Sequence, residues 1–297
     1  MYDCVVLTDR RYVAPADINP YTQNVLDEDG AVVSALADQG LRVTRLAWDD
    51  PDMDWGQTRS VLFRTTWDYF ERWPEFSAWL DTVRPLTRLI NPDALITWNL
   101  DKRYLIALAE LGVSVVPTRF VPRADPTSLA DRLAAEGWSE AVVKPAISGG
   151  GRDTFRVPVP VSAADAARTR ALIDAEDVLL QPFLPSILID GEVSLIVIDG
   201  AVTHAVRKVA AAGEFRVQDD HGGRVLAHTP APDEIAVAEA AIAACSPRPV
   251  YARVDLVRMP DGVPAIMELE LVEPELFFRF ASHAAPRLAA AVAALLS

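Results

Sequence analysis

Only two of the 297 residues are cysteines, Cys4 and Cys245. A disulfide framework and a cysteine-rich zinc site are therefore both excluded. Long apolar runs are missing as well. The longest Ala/Leu-rich stretch, Leu288 to Leu296, is too short to span a bilayer. The N-terminal MYDCVVLTDRR has a short apolar run and then charges, which does not fit a secretory signal. Basic residues are in deficit: 28 Lys and Arg stand against 42 Asp and Glu, for a net charge of -14. That balance argues against nucleic-acid and anionic-membrane partners, although a local basic pocket could still take phosphates. There are no internal repeats and no low-complexity linker. No G-x-x-x-x-G-K-[ST] occurs, so a P-loop is excluded. These absences lead to the expectation of a cytoplasmic protein.

What is present is an apolar fraction of 51%, enough for a globular chain. The length suits two or three packed lobes. Cys4–Leu7, Leu41–Leu46 and Val61–Arg64 read as strands. Asp27–Gln39 has helical spacing, with Val32, Val33, Leu36 and Ala37 on one face. Strand–helix–strand order predicts a parallel sheet. Phe76–Val83 is a further helix and Arg88–Ile90 a short strand, before Asn91-Pro92 closes this part. Helices are expected over Lys102–Leu111, Pro126–Glu136, Ala163–Ala175, Pro232–Ala244 and His283–Leu296. Strands are expected over Ala141–Pro145, Val178–Gln181, Glu192–Ile198, Gly200–Lys208 and Val250–Val257, with a hairpin at Asp199-Gly200.

The chemistry concentrates in Tyr251–Glu270. Arg253 and Asp255 sit two apart, as do Glu268 and Glu270, and Pro260-Asp261-Gly262 lies between the pairs. Strand residues i and i+2 share a face, and the turn folds one strand back on the other. One guanidinium and three carboxylates then share a sheet face. Four charges are costly to bury unless something binds between them, and oxygen-ligated magnesium carrying phosphates fits. Upstream, Lys144 ends a strand, and Ser148-Gly149-Gly150-Gly151 follows. Glycines let backbone N–H groups approach phosphate oxygens, and the lysine supplies charge. The Gln181-Pro182-Phe183-Leu184 strand end can present backbone groups to a base edge. The plainer readings are a surface loop and an ordinary strand end.

The order Lys102, Lys144, glycine triplet, Gln181, Glu192, Arg207-Lys208, Arg216, His-Gly-Gly, Arg253-x-Asp255, Glu268-x-Glu270 resembles the ATP-grasp superfamily. The similarity is to its branch of glutathione synthetase, D-alanine–D-alanine ligase and RimK-like ligases, from about Asn91 onward. The resemblance implies an α/β (α+β ATP-grasp) fold. A parallel-sheet pre-ATP-grasp lobe (1–98), a central lobe with a glycine-rich lid (99–184) and a C-terminal lobe with the metal site (185–297) would clamp ATP. By resemblance, Lys102 and Lys144 contact phosphates, Ser148, Gly149, Gly150 and Gly151 form the lid, and Gln181, Phe183 and Leu184 hold adenine. Glu192 takes the ribose, and Asp255, Glu268 and Glu270 ligate Mg2+ or Mn2+. Arg253 and Arg216 steady the acyl-phosphate, with Lys208 a further catalytic cation. Gly222 and Gly223, from the GEFR…HGG segment, are substrate candidates. Glu270 departs from the asparagine usual in this branch and adds negative charge beside the phosphates.

The first hundred residues resemble the pre-ATP-grasp domain by pattern only. Thr8–Arg11 and Arg64–Tyr69 follow strand ends, where open α/β sheets bind ligands. Arg64 is thus a candidate for a substrate carboxylate, against the alternative of a salt bridge. Trp48, Trp55, Trp67, Trp73 and Trp79 read as packing. Glu275 reads as solvated or paired with Arg279, while Glu273 stays open. The expected activity is ATP-dependent ligation of a small amino-acid-like carboxylate to an amine or amide nitrogen. A special case is the ring closure of O-ureido-D-serine to D-cycloserine in antibiotic biosynthesis. The alternatives are a RimK-like ligase acting on a protein or peptide and a non-catalytic nucleotide-binding module. The resemblance also admits a homodimer.

Overall fold

The computed structural model describes residues 1–217 and 222–297. Gln218 to His221, part of the polar segment singled out in the sequence, lie outside the described residues. The strands form three sheets. In the first, β1 (Cys4–Thr8), β2 (Val43–Ala47), β3 (Ser60–Thr65) and β4 (Arg88–Ile90) run parallel in the order β2-β1-β3-β4. The helix between β1 and β2 spans Pro20–Asp38, beginning seven residues before the apolar spacing indicates. Asn19 caps it, accepting from Thr22 N at 2.9 Å. Pro20 occupies the first turn, where its missing N–H costs nothing.

In the second sheet, β5 (Arg119–Val121), β6 (Glu140–Pro145), β7 (Phe155–Pro158) and β8 (Val178–Pro182) pair antiparallel as β5-β8-β6-β7. In the third, β9 (Glu192–Ile198), β10 (Ala201–Val209), β11 (Arg224–His228), β12 (Tyr251–Arg258) and β13 (Pro264–Glu270) pair antiparallel as β11-β10-β9-β12-β13. The β9–β10 hairpin turns at Asp199 and Gly200, with φ of 48° and 66°, the two-positive-φ geometry that suits a twisted hairpin. The β12–β13 turn closes through Gly262 N to Met259 O at 2.8 Å, with Gly262 at φ 84°. A helix over Asp93–Asn99 and strand β7 were not read from the sequence.

The first and third sheets share one core. Val6, Leu36 and Leu62 pack in the same cluster as Ile196, Ile198 and Tyr251, closed by Leu288 and Val292 of the C-terminal helix Ala284–Leu296. The second sheet has its own core around Val143, Val157 and Leu180. Trp48 and Trp55 are buried, with Trp79 edge-on to both at 5.6 and 5.5 Å. Among the described residues, no helix is long and apolar enough to cross a membrane.

Candidate active site

A cleft of about 510 Å³ lies where the three sheets meet. Strand β6 delivers Lys144 to it, and the loop after β6 delivers Ser148–Gly151. Gly150 and Gly151 have φ of 56° and 69°, a backbone region that glycine enters without strain. Lys102 joins from the adjoining segment: its N–H donates to Ala146 O at 2.8 Å, and its Nζ donates to Ser148 O at 2.7 Å. The ammonium of Lys102 also pairs with Glu268. Burial opposes that charge, but Glu268 outweighs it and holds the Lys102 pKa above its ordinary value. Lys144 differs. Among the described residues no carboxylate lies within 4.0 Å of its ammonium, and burial pulls its pKa down to about 8.

The β12–β13 hairpin forms the charged floor. Asp255 stands across from Glu268 and Arg253 across from Glu270, so the two i,i+2 pairs do share one face. Arg253 grips Asp255 (Nε to Oδ1 3.0 Å, Nη2 to Oδ2 2.9 Å) and also Glu270. Lys208 of β10 bridges Glu192 at 2.5 Å and Asp255 at 3.0 Å, and Ser194 Oγ donates to Asp255 at 2.6 Å. Burial works against the Asp255 carboxylate, but Arg253 and Lys208 hold it well below the ordinary range. Burial dominates at Glu270 and raises its pKa, helped by the Glu268 and Asp255 charges. The three carboxylates are each held by a protein cation. Among the described residues no three His, Cys, Asp or Glu side chains stand together as a ready metal cage.

The wall around Gln181–Leu184 is apolar. Phe183, Leu184, Ile187, Val142 and Met267 line the cleft there. Gln181, also in the wall, is buried. Its Nε2 donates to Thr118 Oγ1 at 2.9 Å, and Thr118 in turn donates to Val116 O at 2.7 Å. Thr118 thereby fixes the amide orientation, and among the described residues Gln181 Oε1 has no hydrogen-bond partner. Arg216 lines the same cleft and pairs with Glu214 at 2.6 Å.

The cleft thus collects Lys102, Lys144, the Ser148–Gly151 loop, Gln181, Phe183, Leu184, Glu192, Lys208, Arg216, Arg253, Glu268 and Glu270, with Asp255 just beneath. It does not collect Arg64. That side chain is fully buried, donates to Glu28 at 2.5 Å and stands 5.8 Å from the Phe278 ring. Of the two readings, the salt bridge is the one the structure has, because the side chain turns toward the helix packed on β3 instead of the strand end. Glu28 also accepts from Leu276 N at 2.6 Å and Phe278 N at 3.3 Å, so the pair braces the turn after β13. Gly222 and Gly223 are not among the residues lining the cleft.

Other wall residues were given no site role by the sequence, and Glu273 was left open there. Trp67, read as packing, lines the cleft with Tyr12 and Tyr21 at ring separations of 5.8 and 6.3 Å. Phe70 and Glu273 are there too. Burial pushes Glu273 up to about 7, against the pull of Lys102. Beneath the site, Asn91 donates to Tyr251 O at 2.8 Å and Leu271 O at 2.7 Å, and Asn99 donates to Leu269 O at 2.8 Å while accepting from Leu271 N at 2.7 Å. These amides clamp the segment that carries the glutamates.

Comparison with known proteins agrees with this geometry. Residues 4–91 match the family model described as D-cycloserine synthetase DcsG, N-terminal domain, and residues 114–247 match the prokaryotic glutathione synthetase ATP-grasp domain. The cycloserine biosynthesis protein DcsG of Streptomyces lavendulae is 37% identical over 283 residues, covering 88% of this chain and 91% of that protein. A crystal structure of D-cycloserine synthetase DcsG superposes with a TM-score of 0.88 at 33% identity, over 99% of both chains. A D-alanine–D-alanine ligase from Bacillus anthracis shares the fold at TM-score 0.68 and 14% identity, over 100% of this chain and 97% of that one. With a 37% identical relative matched along nearly its whole length, the chain belongs to the D-cycloserine synthetase family of ATP-grasp ligases.

Proposed function

We propose that this ATP-dependent C–N ligase closes O-ureido-D-serine to D-cycloserine. The observation that carries the catalytic half is one cleft holding a buried lysine without a carboxylate partner, a glycine loop and a hairpin of carboxylates. The kinship with cycloserine enzymes supports the substrate half. Residues 1–98 are then the substrate lobe, with residues 99–184 and 185–297 folding over the nucleotide.

A carboxylate is a poor electrophile at neutral pH, and ATP can convert its oxygen into a leaving group. Lys144 has charge to offer a phosphate, since among the described residues no carboxylate pairs with it directly and Glu268 acts on it only from a distance. Lys102 and the N–H groups of Ser148–Gly151 would hold the same phosphates, and Glu192 the ribose. Glu268 and Glu270 present hard oxygen donors to the cleft beside Asp255, a donor set that fits Mg2+ or Mn2+. To serve there, Glu268 must share with Lys102 and Glu270 with Arg253. A divalent ion so held would neutralise charge on the transferring phosphoryl group. Arg253, Lys208 and Arg216 would steady the developing acyl-phosphate. The ureido nitrogen bonded to oxygen then attacks the activated carbonyl and gives up its proton as phosphate leaves; a later hydrolysis, in which water cleaves the N–carbamoyl bond and the carbamoyl group departs as CO2 and ammonia, frees the ring N–H. Phe70 and the glycine loop exclude water that would otherwise hydrolyse the intermediate.

Incubation with ATP, Mg2+ and O-ureido-D-serine tests the proposal. ADP and a product with the mass of D-cycloserine are expected. ADP release only with a peptide carboxylate would favour a RimK-like activity instead.

A further inference from the structure

Among the described residues, one half-buried carboxylate of the cleft has no cation at ion-pair distance, although Lys102 acts on it from farther off. Lys102 takes Glu268, Arg253 takes Glu270 and Arg279 takes Glu275. Glu71 reaches the rim but is exposed, where water screens its charge. Glu273 is half-buried on the same wall, and among the described residues no Lys, Arg or His nitrogen lies within 4.0 Å of its carboxylate. Its backbone carbonyl accepts from Trp67 Nε1 at 2.9 Å. A carboxylate with spare acceptor capacity therefore stands beside an electron-rich indole, itself flanked by Tyr12 and Tyr21. A carboxylate without a protein cation at ion-pair distance, on a cleft wall shared with an aromatic residue, is chemistry suited to an ammonium ion.

The location decides which ammonium. In an α-amino acid the nitrogen and the carboxylate are bonded to the same carbon. A counter-ion for the nitrogen must therefore stand within a few ångströms of the point where the carboxylate is activated. Glu273 lies three residues past Glu270, on the segment that continues β13 along the cleft. The Asn91 and Asn99 clamps and the Glu28 brace fix that segment on both sides of Glu273. We propose that Glu273 binds the α-ammonium of the amino-acid substrate, with Trp67 as the adjoining wall, and so selects amino acids over plain carboxylic acids.

This assignment rests on the ligase reading above, and a binding measurement separates the two. Wild type and Glu273→Gln, each saturated with Mg2+ and a non-hydrolysable ATP analogue, are titrated with O-ureido-D-serine and with its desamino analogue. Glutamine keeps the shape and removes the charge. Wild type is expected to prefer the amino acid, and Glu273→Gln to weaken its binding about 10- to 100-fold while leaving the desamino Kd in place. Equal weakening of both ligands would make Glu273 a structural or metal-directed residue and overturn the assignment, as would wild type binding both ligands equally. Ammonium-dependent binding without product formation in a parallel turnover assay would instead defeat the ring-closure reading alone.

Discussion

Gly149 of the glycine loop packs directly beneath Phe70 of the N-terminal lobe, so closely that a Cβ on Gly149 would lie 2.5 Å from Phe70 Cε1. The loop that would cover the phosphates is thus in contact with the lobe that carries Trp67 and Tyr12. Gly149→Ala forces either the ring or the loop to move. The strain of such overpacking should lower kcat/KM about tenfold. Phe70→Leu in the same chain should recover much of that loss, because the two residues share one contact. A double-mutant cycle on ADP formation measures it. Independent, additive losses would show that the contact does not matter to closure.

The sequence made the β12–β13 hairpin legible because a period of two and a Pro-Asp-Gly turn are local signals. The cleft's cationic wall was legible for a different reason, the order of motifs along the chain. Arg64 shows the limit. A strand-end rule gives the end of a sheet, but not which neighbouring helix supplies a partner, and Glu28 lies 36 residues away. Trp67, Tyr12 and Tyr21 form a wall only once β1, β3 and their following loops are side by side. The Asn91 and Asn99 clamps join residues at separations of 160 and more, beyond any local pattern.

Nucleotide affinity should depend on pH through Lys144. Burial lowers this lysine's pKa to about 8, so its charge is present below pH 8 and is lost above it. A neighbouring phosphate favours the ammonium form, so binding above pH 8 must take up a proton, and affinity falls as pH rises past that point. The same shift penalises the unliganded fold below pH 8, and that penalty fades between pH 8 and the ordinary lysine value of 10.5. Calorimetric titration of ADP from pH 7 to 9.5 checks this, with Lys144→Arg expected to flatten the profile.

Gln181 should set the choice of base. Its Oε1 is buried without a partner, held in that orientation by Thr118, and is suited to accept from the amino group of adenine. Guanine offers a carbonyl at that position and would be repelled. Gln181→Leu is expected to cut the preference for ATP over GTP about tenfold, read as the ratio of kcat/KM values. An unchanged ratio would place base selection on the backbone of residues 182–184.

Arg253 should matter for folding as well as for turnover. It neutralises both Asp255 and Glu270 inside the cleft. Arg253→Met leaves Glu270 without its cation, and removal of one partner from a buried pair typically costs about 3–5 kcal/mol. A marked fall in Tm is expected, with partial recovery on adding Mg2+ and nucleotide. A Tm equal to wild type would show that Glu270 tolerates the loss of its cation and that Lys208 alone satisfies Asp255.

The most direct test follows product in a single reaction. Protein, ATP, Mg2+ and O-ureido-D-serine are combined, and ADP and product mass are read together for wild type, Asp255→Ala and Glu268→Ala. The expected result is D-cycloserine in step with ADP for wild type, and loss of both by about a hundredfold or more in each variant. Variants that match wild type would contradict the role given to the β12–β13 carboxylates, and ADP without a ring-closed product would contradict the ring-closure assignment.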